Sequence, residues 1–232
     1  RKVLEWCESK PDFHLVSDEI YALSCFKNRK FVSMAHIARG NLAAHRTHLV
    51  WGMSKDFGLS GFRVGGVWTG DQRGRTALAS ANLFSPGSGF TAQLVIAMLS
   101  DLPWCTAYLK ENAMRLEQSC KICQDKLDQL AVPYVAPDSG MFILVDMSKF
   151  IQLYAKKYDK VDEDPWTIED LIYNELIDKH HVIFTPGSAQ HCDKPGWFRI
   201  CYAFVEPDTL KVAMDSLAAF AGEFLETAAT QA

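Results

Sequence analysis

The sequence predicts an α/β fold, and two observations support this expectation. Short apolar segments bounded by polar or glycine residues are typical of strands, and longer segments with apolar residues at helical spacing alternate with them. Such alternation is typical of a mostly parallel sheet connected by helices. The strands are predicted at 13–17, 47–51, 64–68, 141–146 and 198–203, and the helices at 90–99, 106–130, 166–179 and 207–225.

The elements before residue 70 follow from the positions of their apolar side chains. Val3, Leu4 and Cys7 share one face of a helix, so we expect the chain to begin within a helical element. The segments 13–17 and 47–51 are short apolar runs that end in polar or glycine residues, as buried strands do. A third apolar run, at 64–68, completes this group.

Beyond residue 90 the pattern is helical and is interrupted at Pro103. Because proline disrupts a helix interior, we expect it to separate the helix 90–99 from the long helix 106–130. Thr167 and Asp208 lie near the expected starts of the last two helices, where their side chains can act as caps. We therefore expect two domains, 1–95 and 96–232, with the long helix connecting them.

The composition argues against several functional classes. The 232 residues are 48% apolar and carry a formal net charge of −4, without a block of lysine or arginine. Nucleic acids and anionic membranes are therefore not the expected partners. No apolar run approaches the roughly 20 residues that cross a bilayer, and the first residues lack a signal-peptide core. We expect a small-molecule ligand and a cytoplasmic location.

Seven cysteines without regular spacing favour free thiols over a disulfide framework. The pair Cys120 and Cys123 has the spacing of a zinc or redox motif, but no second pair lies near it. Because both residues fall within a helical pattern, we expect them to pack inside the protein, and we expect no metal site.

A glycine-rich segment from Gly52 to Gly65 follows the second predicted strand and carries Lys55 and Arg63. An amine that forms a Schiff base must have a pKa that its surroundings can lower, whereas a phosphate group calls for a permanent cation. Lys55 and Arg63 divide these two tasks, which indicates a site for pyridoxal 5'-phosphate. Ser54 shapes the turn and is a further candidate cofactor contact. The alternative is a surface lysine beside a flexible loop.

A carboxylate must hold the proton on the pyridine nitrogen of this cofactor, and Asp18 is the candidate. Tyr21, three residues later, has a hydroxyl that can contact the phenolic oxygen of the cofactor ring. Asp18 and Lys55 both follow predicted strands, and open α/β sheets bind ligands at the carboxyl ends of their strands. We therefore expect both segments to contribute to one site. Taken alone, the Asp18 and Tyr21 spacing is more often structural.

Arg199 lies in an otherwise apolar and aromatic strand pattern, and a buried guanidinium needs an anion. The α-carboxylate of an amino acid is a planar, bidentate partner for it. The alternative is a structural ion pair with Asp193 or Glu206.

These segments together resemble 1-aminocyclopropane-1-carboxylate synthases and synthase-like proteins, within the class I/II aminotransferase superfamily of fold type I. The resemblance extends over nearly the whole chain. It is carried by Ser17-Asp18-Glu19-Ile20-Tyr21, the Lys55 loop, Ser139-Gly140-Met141-Phe142, Val145-Asp146-Met147, Pro186-Gly187-Ser188 and Pro195-Gly196-Trp197-Phe198-Arg199.

The resemblance implies a role for each candidate residue. One departure is Gly52, where the family often has a serine that binds the phosphate, so phosphate binding would depend more on Arg63 and backbone amides. The implied roles are Asp18 on the pyridine nitrogen, Tyr21 on the phenolic oxygen, Ser54 in the cofactor loop, Lys55 as Schiff base and catalytic residue, Arg63 on the phosphate, and Arg199 on the substrate carboxylate.

The resemblance also implies that this chain corresponds to the carboxyl-terminal part of such an enzyme. That part comprises a portion of the large sheet domain and the small α+β domain. The phosphate cup, the ring-stacking aromatic residue and a cross-subunit tyrosine of the family are not found here. We therefore expect a homodimer for the longer protein. The turn Ser85-Pro86-Gly87-Ser88 is either a contact to a partner's phosphate or a simple turn.

The expected function is that of a pyridoxal-phosphate-dependent enzyme, a lyase or transaminase, acting on an amino acid or its derivative. In the family that the chain resembles, S-adenosylmethionine is converted to 1-aminocyclopropane-1-carboxylate and methylthioadenosine. One alternative is an aminotransferase that uses a 2-oxo acid acceptor, since the same residues serve both reactions. Another is an inactive, truncated synthase-like fragment.

Overall fold

The computed structural model describes residues 2–39, 42–83 and 87–230. It divides into two compact units, Arg1–Ala113 and Met114–Ala232. The boundary falls inside the helix Leu102–Gln129, so one continuous helix contributes to both units. The division into domains 1–95 and 96–232 concerns the longer protein and stays a prediction.

Within its described residues, the first unit contains three strands and five helices of its own, in addition to the start of the shared helix. Two 3-10 turns, Leu42–Arg46 and Ser60–Phe62, lie between these elements. The strands are β1 (Leu15–Asp18), β2 (Thr47–Gly52) and β3 (Gly65–Thr69), and the helices are α1 (Lys2–Glu8), α2 (Met34–Ala38), α3 (Met53–Asp56), α4 (Gln72–Asn82), α5 (Gly89–Ser100) and α6 (Leu102–Gln129).

The three strands form one sheet in the order β1-β2-β3. β1 and β2 are parallel, and β2 and β3 are antiparallel. β1 begins two residues later than predicted, because the amide of Phe13 donates to the carbonyl of Lys10 at 3.1 Å in a turn. The carboxyl ends of β1 and β2 lie side by side, with Asp18 opposite Val50 in the register.

The sequence interpretation of Pro103 as a separator is wrong in detail, because α6 already begins at Leu102. Proline is tolerated in the first turn of a helix, where its missing N–H would have no partner within the helix. Asp101 separates α5 from α6, and its side chain accepts a hydrogen bond from the amide of Trp104 at 2.9 Å.

The sequence pattern did not predict α4. None of its residues is buried, so it lacks the apolar stripe by which amphipathic helices are found. Its start is fixed by Asp71, whose carboxylate accepts hydrogen bonds from the amides of Arg73 and Gly74 at 3.0 and 2.9 Å.

Up to Thr230, where its described residues end, the second unit is a four-stranded antiparallel sheet in the order β4-β5-β7-β6, with three helices. Helix α7 packs on α8 and α9, and a 3-10 turn covers Ser188–Gln190. The elements are β4 (Tyr134–Val135), β5 (Phe142–Asp146), α7 (Ser148–Lys157), α8 (Pro165–Asp178), β6 (Thr185–Pro186), β7 (Trp197–Cys201) and α9 (Pro207–Thr230).

The core of the second unit is aromatic. The ring centroid of Phe220 lies 5.7 Å from that of Phe150 and 4.9 Å from that of Phe224, and all three side chains are buried. Burial of such large apolar side chains is the main favourable term in folding.

Among the described residues, no helix has the length and apolar character needed to cross a membrane.

Candidate cofactor site

The site in the first unit is built at the carboxyl ends of two parallel neighbouring strands. Asp18 is the last residue of β1, and Gly52 is the last residue of β2. The segment after β1 carries Tyr21, and helix α3 directly after β2 carries Lys55. The fold therefore brings two segments that are distant in sequence to the same edge of the sheet.

Lys55 and Tyr21 approach each other at this edge. The Lys55 ammonium lies 5.8 Å from the centroid of the Tyr21 ring, and both side chains are half-buried. An ammonium within about 6 Å of an aromatic ring is attracted to its face. The structure thus places a primary amine beside a phenol at this edge of the sheet.

The lysine loop is anchored by its apolar residues. Met53 and Phe57 are buried in a cluster with Val95 and Cys105, on either side of Lys55. The amide of Met53 donates to the carbonyl of Val64 at 3.0 Å, which closes the loop at its base. Lys55 is therefore carried by a short helix whose flanking residues belong to the core.

Asp18 presents an exposed carboxylate at the end of β1. Its Oδ1 atom accepts a hydrogen bond from the amide of Ile20 at 3.1 Å, which orients the side chain within the turn. Glu19 points elsewhere: its side chain is buried and accepts hydrogen bonds from the Ser17 hydroxyl and the Met34 amide. Asp18, not Glu19, is thus the accessible acid of this turn.

Arg63 is exposed and has a left-handed backbone, with φ of 54°. Its guanidinium donates to the carbonyl of Ser60 at 3.0 Å. Among the described residues, no hydrogen bond or ion pair joins Arg63 to Asp18, Tyr21 or Lys55. Arg63 is therefore an exposed cation on the lysine loop, without a direct contact of this kind to the Lys55 amine.

Ser54 lies within α3 and is half-buried. The residue before this helix, Gly52, has an extended backbone and provides no side-chain cap. Ser88 caps helix α5 by accepting a hydrogen bond from Thr91, whereas Ser85 and Pro86 of the same predicted turn lie outside the described residues.

Arg199 belongs to the second unit. It lies on the side of β7 opposite the buried Phe198 and Ile200. Its guanidinium lies 4.3 Å from the centroid of the Phe142 ring, and it donates to the Thr185 hydroxyl at 3.5 Å.

Two further observations concern the hydrogen bonding and the charge of the Arg199 guanidinium. Its Nε atom is buried and has no hydrogen-bond partner. Within the described part of the chain, no carboxylate forms an ion pair with it, so the expected alternative of a bond to Asp193 or Glu206 is not present. A buried N–H without an acceptor is costly, and an anion would satisfy it.

Sequence reasoning missed two buried carboxylates. Asp56, directly after Lys55, is fully buried and accepts hydrogen bonds from Leu23, Ser24 and Trp51. Nothing in the local sequence indicates these distant partners.

Glu169 in α8 is also fully buried, and it accepts hydrogen bonds from the amides of Ser188 and Gly196 at 2.9 and 2.6 Å. This residue had a sequence signal, because it shares a helix face with Ile172 and Leu176, three and seven positions later.

The cysteine pair of α6 is buried, as expected from its helical pattern. The pKa of the Cys123 thiol is raised to about 12, and burial is the largest cause. The thiol therefore stays protonated at neutral pH.

A second polar cluster lies among the helices of the second unit. Glu175, His180 and Glu223 each offer one ligand atom, and these atoms lie within 4.8 Å of one another. The Lys179 ammonium lies 2.5 Å from Glu223 and 3.6 Å from Glu175, and the Lys157 ammonium lies 3.3 Å from Glu223, so two cations already accompany the two carboxylates. Burial lowers the pKa of His180, and the charge of Glu223 opposes this shift. The arrangement is that of an ion-pair cluster.

Comparison with known proteins identifies the family. The family model for aminotransferase class I and II matches residues 1–217. The chain belongs to this family.

Its relatives within the aminotransferase class I and II family include several synthases. The chain is 35% identical to 1-aminocyclopropane-1-carboxylate synthase 6 of Oryza sativa subsp. japonica, over 93% of the chain and 38% of that protein. It is 32% identical to 1-aminocyclopropane-1-carboxylate synthase of Malus domestica, over 96% of the chain and 46% of that protein. The chain thus spans less than half the length of these two curated relatives.

Solved structures show the same fold. The aromatic aminotransferase of Pyrococcus horikoshii superposes with a TM-score of 0.76 at 21% identity, over 96% of this chain and 54% of that one. The aspartate aminotransferase of Thermus thermophilus with maleate gives 0.74 at 23% identity, over 93% and 50%. These likenesses establish a fold type I architecture for this aminotransferase family member.

Class I and II aminotransferases and 1-aminocyclopropane-1-carboxylate synthases depend on pyridoxal phosphate. The residues of this chain fit that group in one respect that the first unit shows by itself. An amine and a phenol meet at the carboxyl ends of parallel strands. Lys55, Asp18 and Tyr21 would hold the ring, and Arg63 with the loop amides would hold the phosphate.

Proposed function

We propose that the full-length protein containing this chain is a pyridoxal-phosphate-dependent enzyme that acts on an amino acid or its derivative. The observation that carries the proposal is the distance of 5.8 Å between the Lys55 ammonium and the Tyr21 ring, at the ends of two parallel strands. An amine held in such a position can bind an aldehyde cofactor covalently and afterwards transfer protons.

The bound cofactor supplies an electron sink for the α-carbon of the substrate. Each proposed residue then has a separate task. Asp18 holds a proton on the ring nitrogen, and Tyr21 donates a hydrogen bond to the phenolic oxygen. Lys55 accepts the proton of the α-carbon, because an amine within the site has both a base and an acid form.

Substrate recognition is assigned to Arg199. Its guanidinium can donate two parallel hydrogen bonds to the α-carboxylate, which fixes the orientation of the amino acid. The unsatisfied Nε atom supports this assignment, because a bound carboxylate would provide the missing acceptor.

Conversion of S-adenosylmethionine to 1-aminocyclopropane-1-carboxylate and methylthioadenosine is the proposed reaction. The support is that the curated relatives above 30% identity named here are synthases of this type. The likeness to aminotransferase structures, at 21% and 23% identity, supports the fold alone. We further propose a homodimer, as the family resemblance implies, and a cytoplasmic location, for which the seven free cysteines are the support.

The test uses the full-length protein with pyridoxal phosphate, followed by borohydride reduction and peptide mass mapping. We expect the cofactor to be fixed on the peptide that contains Lys55. Lys55→Arg keeps the charge but should abolish fixation, whereas Lys110→Ala, an exposed lysine of the same unit, should leave it unchanged. Fixation on another lysine would refute the assignment.

Product analysis then separates the two reactions. Incubation with S-adenosylmethionine should release methylthioadenosine, whereas incubation of an amino acid with a 2-oxo acid should give no exchange of the amino group. The reverse result would make the protein an aminotransferase. Size-exclusion chromatography with light scattering tests the homodimer, and cell fractionation tests the location.

A further inference from the structure

The carboxylate of Asp56, the residue next to Lys55, joins three separate parts of the first unit. The side chain is fully buried. Its Oδ2 atom accepts hydrogen bonds from the Leu23 amide at 3.1 Å and the Trp51 indole N–H at 2.8 Å. Its Oδ1 atom accepts one from the Ser24 hydroxyl at 2.6 Å. A buried carboxylate with three donors is well satisfied and geometrically fixed.

The donors belong to the two segments that the proposed site needs. Leu23 and Ser24 lie two and three residues after Tyr21 in the segment after β1, whereas Trp51 is near the end of β2. Asp56 therefore connects the segment that carries Tyr21 to the helix that carries Lys55.

Helix α3 needs this connection because it has only four residues, Met53–Asp56. A helix of one turn has little stability of its own, and Gly52 before it gives no side-chain cap. Its position is consequently set by tertiary contacts. Their polar part includes the hydrogen bonds of the Asp56 side chain and the bond from the Met53 amide to the Val64 carbonyl.

We infer that Asp56 is a positioning residue for Lys55. It holds the helix that carries Lys55 against the segment that carries Tyr21, and it thereby determines the position of the Lys55 amine relative to the cofactor ring. This inference rests on the proposed function, since it concerns the same site, but the connection itself exists without cofactor.

Two variants separate geometry from charge. In Asp56→Asn, the amide oxygen can accept from Leu23 and Trp51, and the amide nitrogen can donate to the Ser24 hydroxyl, which is also an acceptor. Asp56→Asn thus preserves the connection without the negative charge. Asp56→Ala removes it and leaves three donors without their acceptor. Asp71→Ala, which removes the cap of α4, serves as a control with lowered stability at a distance from the loop.

The first measurement is hydrogen exchange of the full-length protein without cofactor, observed on the peptide 21–26. We expect faster exchange in Asp56→Ala and wild-type exchange in Asp56→Asn and Asp71→Ala. Unchanged exchange in Asp56→Ala would overturn the inference, whatever the cofactor does.

The second measurement is the affinity for pyridoxal phosphate and the pH dependence of the visible absorbance of the bound cofactor. Asp56→Ala should bind about tenfold more weakly or worse, with a displaced pH profile, since small misplacements of a reacting group have large effects. Asp56→Asn should restore the affinity, and Asp71→Ala should not alter either property.

Wild-type affinity and pH profile in Asp56→Ala would overturn the positioning role even if the variant is less stable. If the wild-type protein does not bind the cofactor at all, the proposed function fails and the positioning role fails with it. The exchange experiment then still reports whether the connection between the two segments exists, so the two failures are distinguishable.

Discussion

Gly196 packs against Ser148 so closely that a Cβ atom at position 196 would lie 2.6 Å from the Cα of Ser148. Gly196 also has φ of 96°, a conformation that other residues rarely adopt. It directly precedes β7, the strand of Arg199. The start of this strand therefore depends on a residue without a side chain.

Gly196→Ala should lower the free energy of unfolding by about 2–4 kcal/mol, because strain and overpacking add. Gly222→Ala is the matched control, since a Cβ there meets nothing within 4 Å inside helix α9. We expect the control to raise stability by about 0.5–1 kcal/mol through helix propensity. Urea unfolding of both variants measures the difference, and equal midpoints would contradict the packing described.

Glu169→Ala should destabilise the protein by about 2–5 kcal/mol, because the amides of Ser188 and Gly196 both lose their acceptor. Glu169→Gln should be intermediate, since one acceptor oxygen remains. The exposed Glu163→Ala provides the control and should change stability by less than about 0.5 kcal/mol. Thermal unfolding of the four proteins tests the order, and a Glu169→Ala protein as stable as the control would exclude a supporting role.

Arg199→Met should separate activity from stability. Its kcat/KM for the amino acid substrate should fall about 100-fold or more, as the loss of a charge-assisted bidentate contact predicts. Its unfolding midpoint should be unchanged or slightly raised, because the substitution removes a buried N–H that has no partner. Arg73→Ala, on the exposed helix α4, is the control for activity. A strong loss of stability in Arg199→Met would instead indicate a structural role.

His180 should contribute a loss of stability at acid pH. Burial is the largest influence on the pKa of His180 and lowers it in the folded protein below the ordinary value of 6.5. The charges of Glu223 and Glu175 oppose this shift. Below about pH 6.5 the unfolded chain therefore binds a proton that the folded protein resists, and stability decreases as the pH falls.

The comparison of wild type with His180→Gln isolates this contribution from that of other histidines. The variant should lose less stability than the wild type between about pH 7 and pH 5. Parallel pH profiles of the two unfolding midpoints would show that His180 does not titrate differently on folding.

The elements that sequence reasoning found are those with continuous apolar patterns. β2 and the lysine loop were predicted because an apolar run ends in glycine, and the structure has this strand at Thr47–Gly52. Helix α4 was missed because none of its residues is buried and Leu78 is its only large apolar side chain, so only the cap at Asp71 could have indicated it.

The candidate site was likewise only partly predictable from the sequence. The approach of Lys55 to Tyr21 could be expected from two strand ends, since parallel neighbouring strands bring their following loops together. Asp56 could not be found, because its donors at Leu23 and Ser24 lie over thirty residues earlier in sequence. The roles of Asp18, Tyr21, Ser54, Lys55, Arg63 and Arg199 stay predictions.

Because Gly52 has no side chain, the start of the lysine loop can pack closely against the turn after β1. A Cβ at this position would lie 3.3 Å from the side chain of Ile20 and 3.2 Å from the carbonyl of Val64. Ile20 lies between Asp18 and Tyr21, directly before Tyr21, in the turn after β1. A serine at position 52 therefore requires the Ile20 side chain to shift or to be smaller, and we expect substitutions at these two positions to be epistatic, with the double change tolerated better than the sum of the single ones.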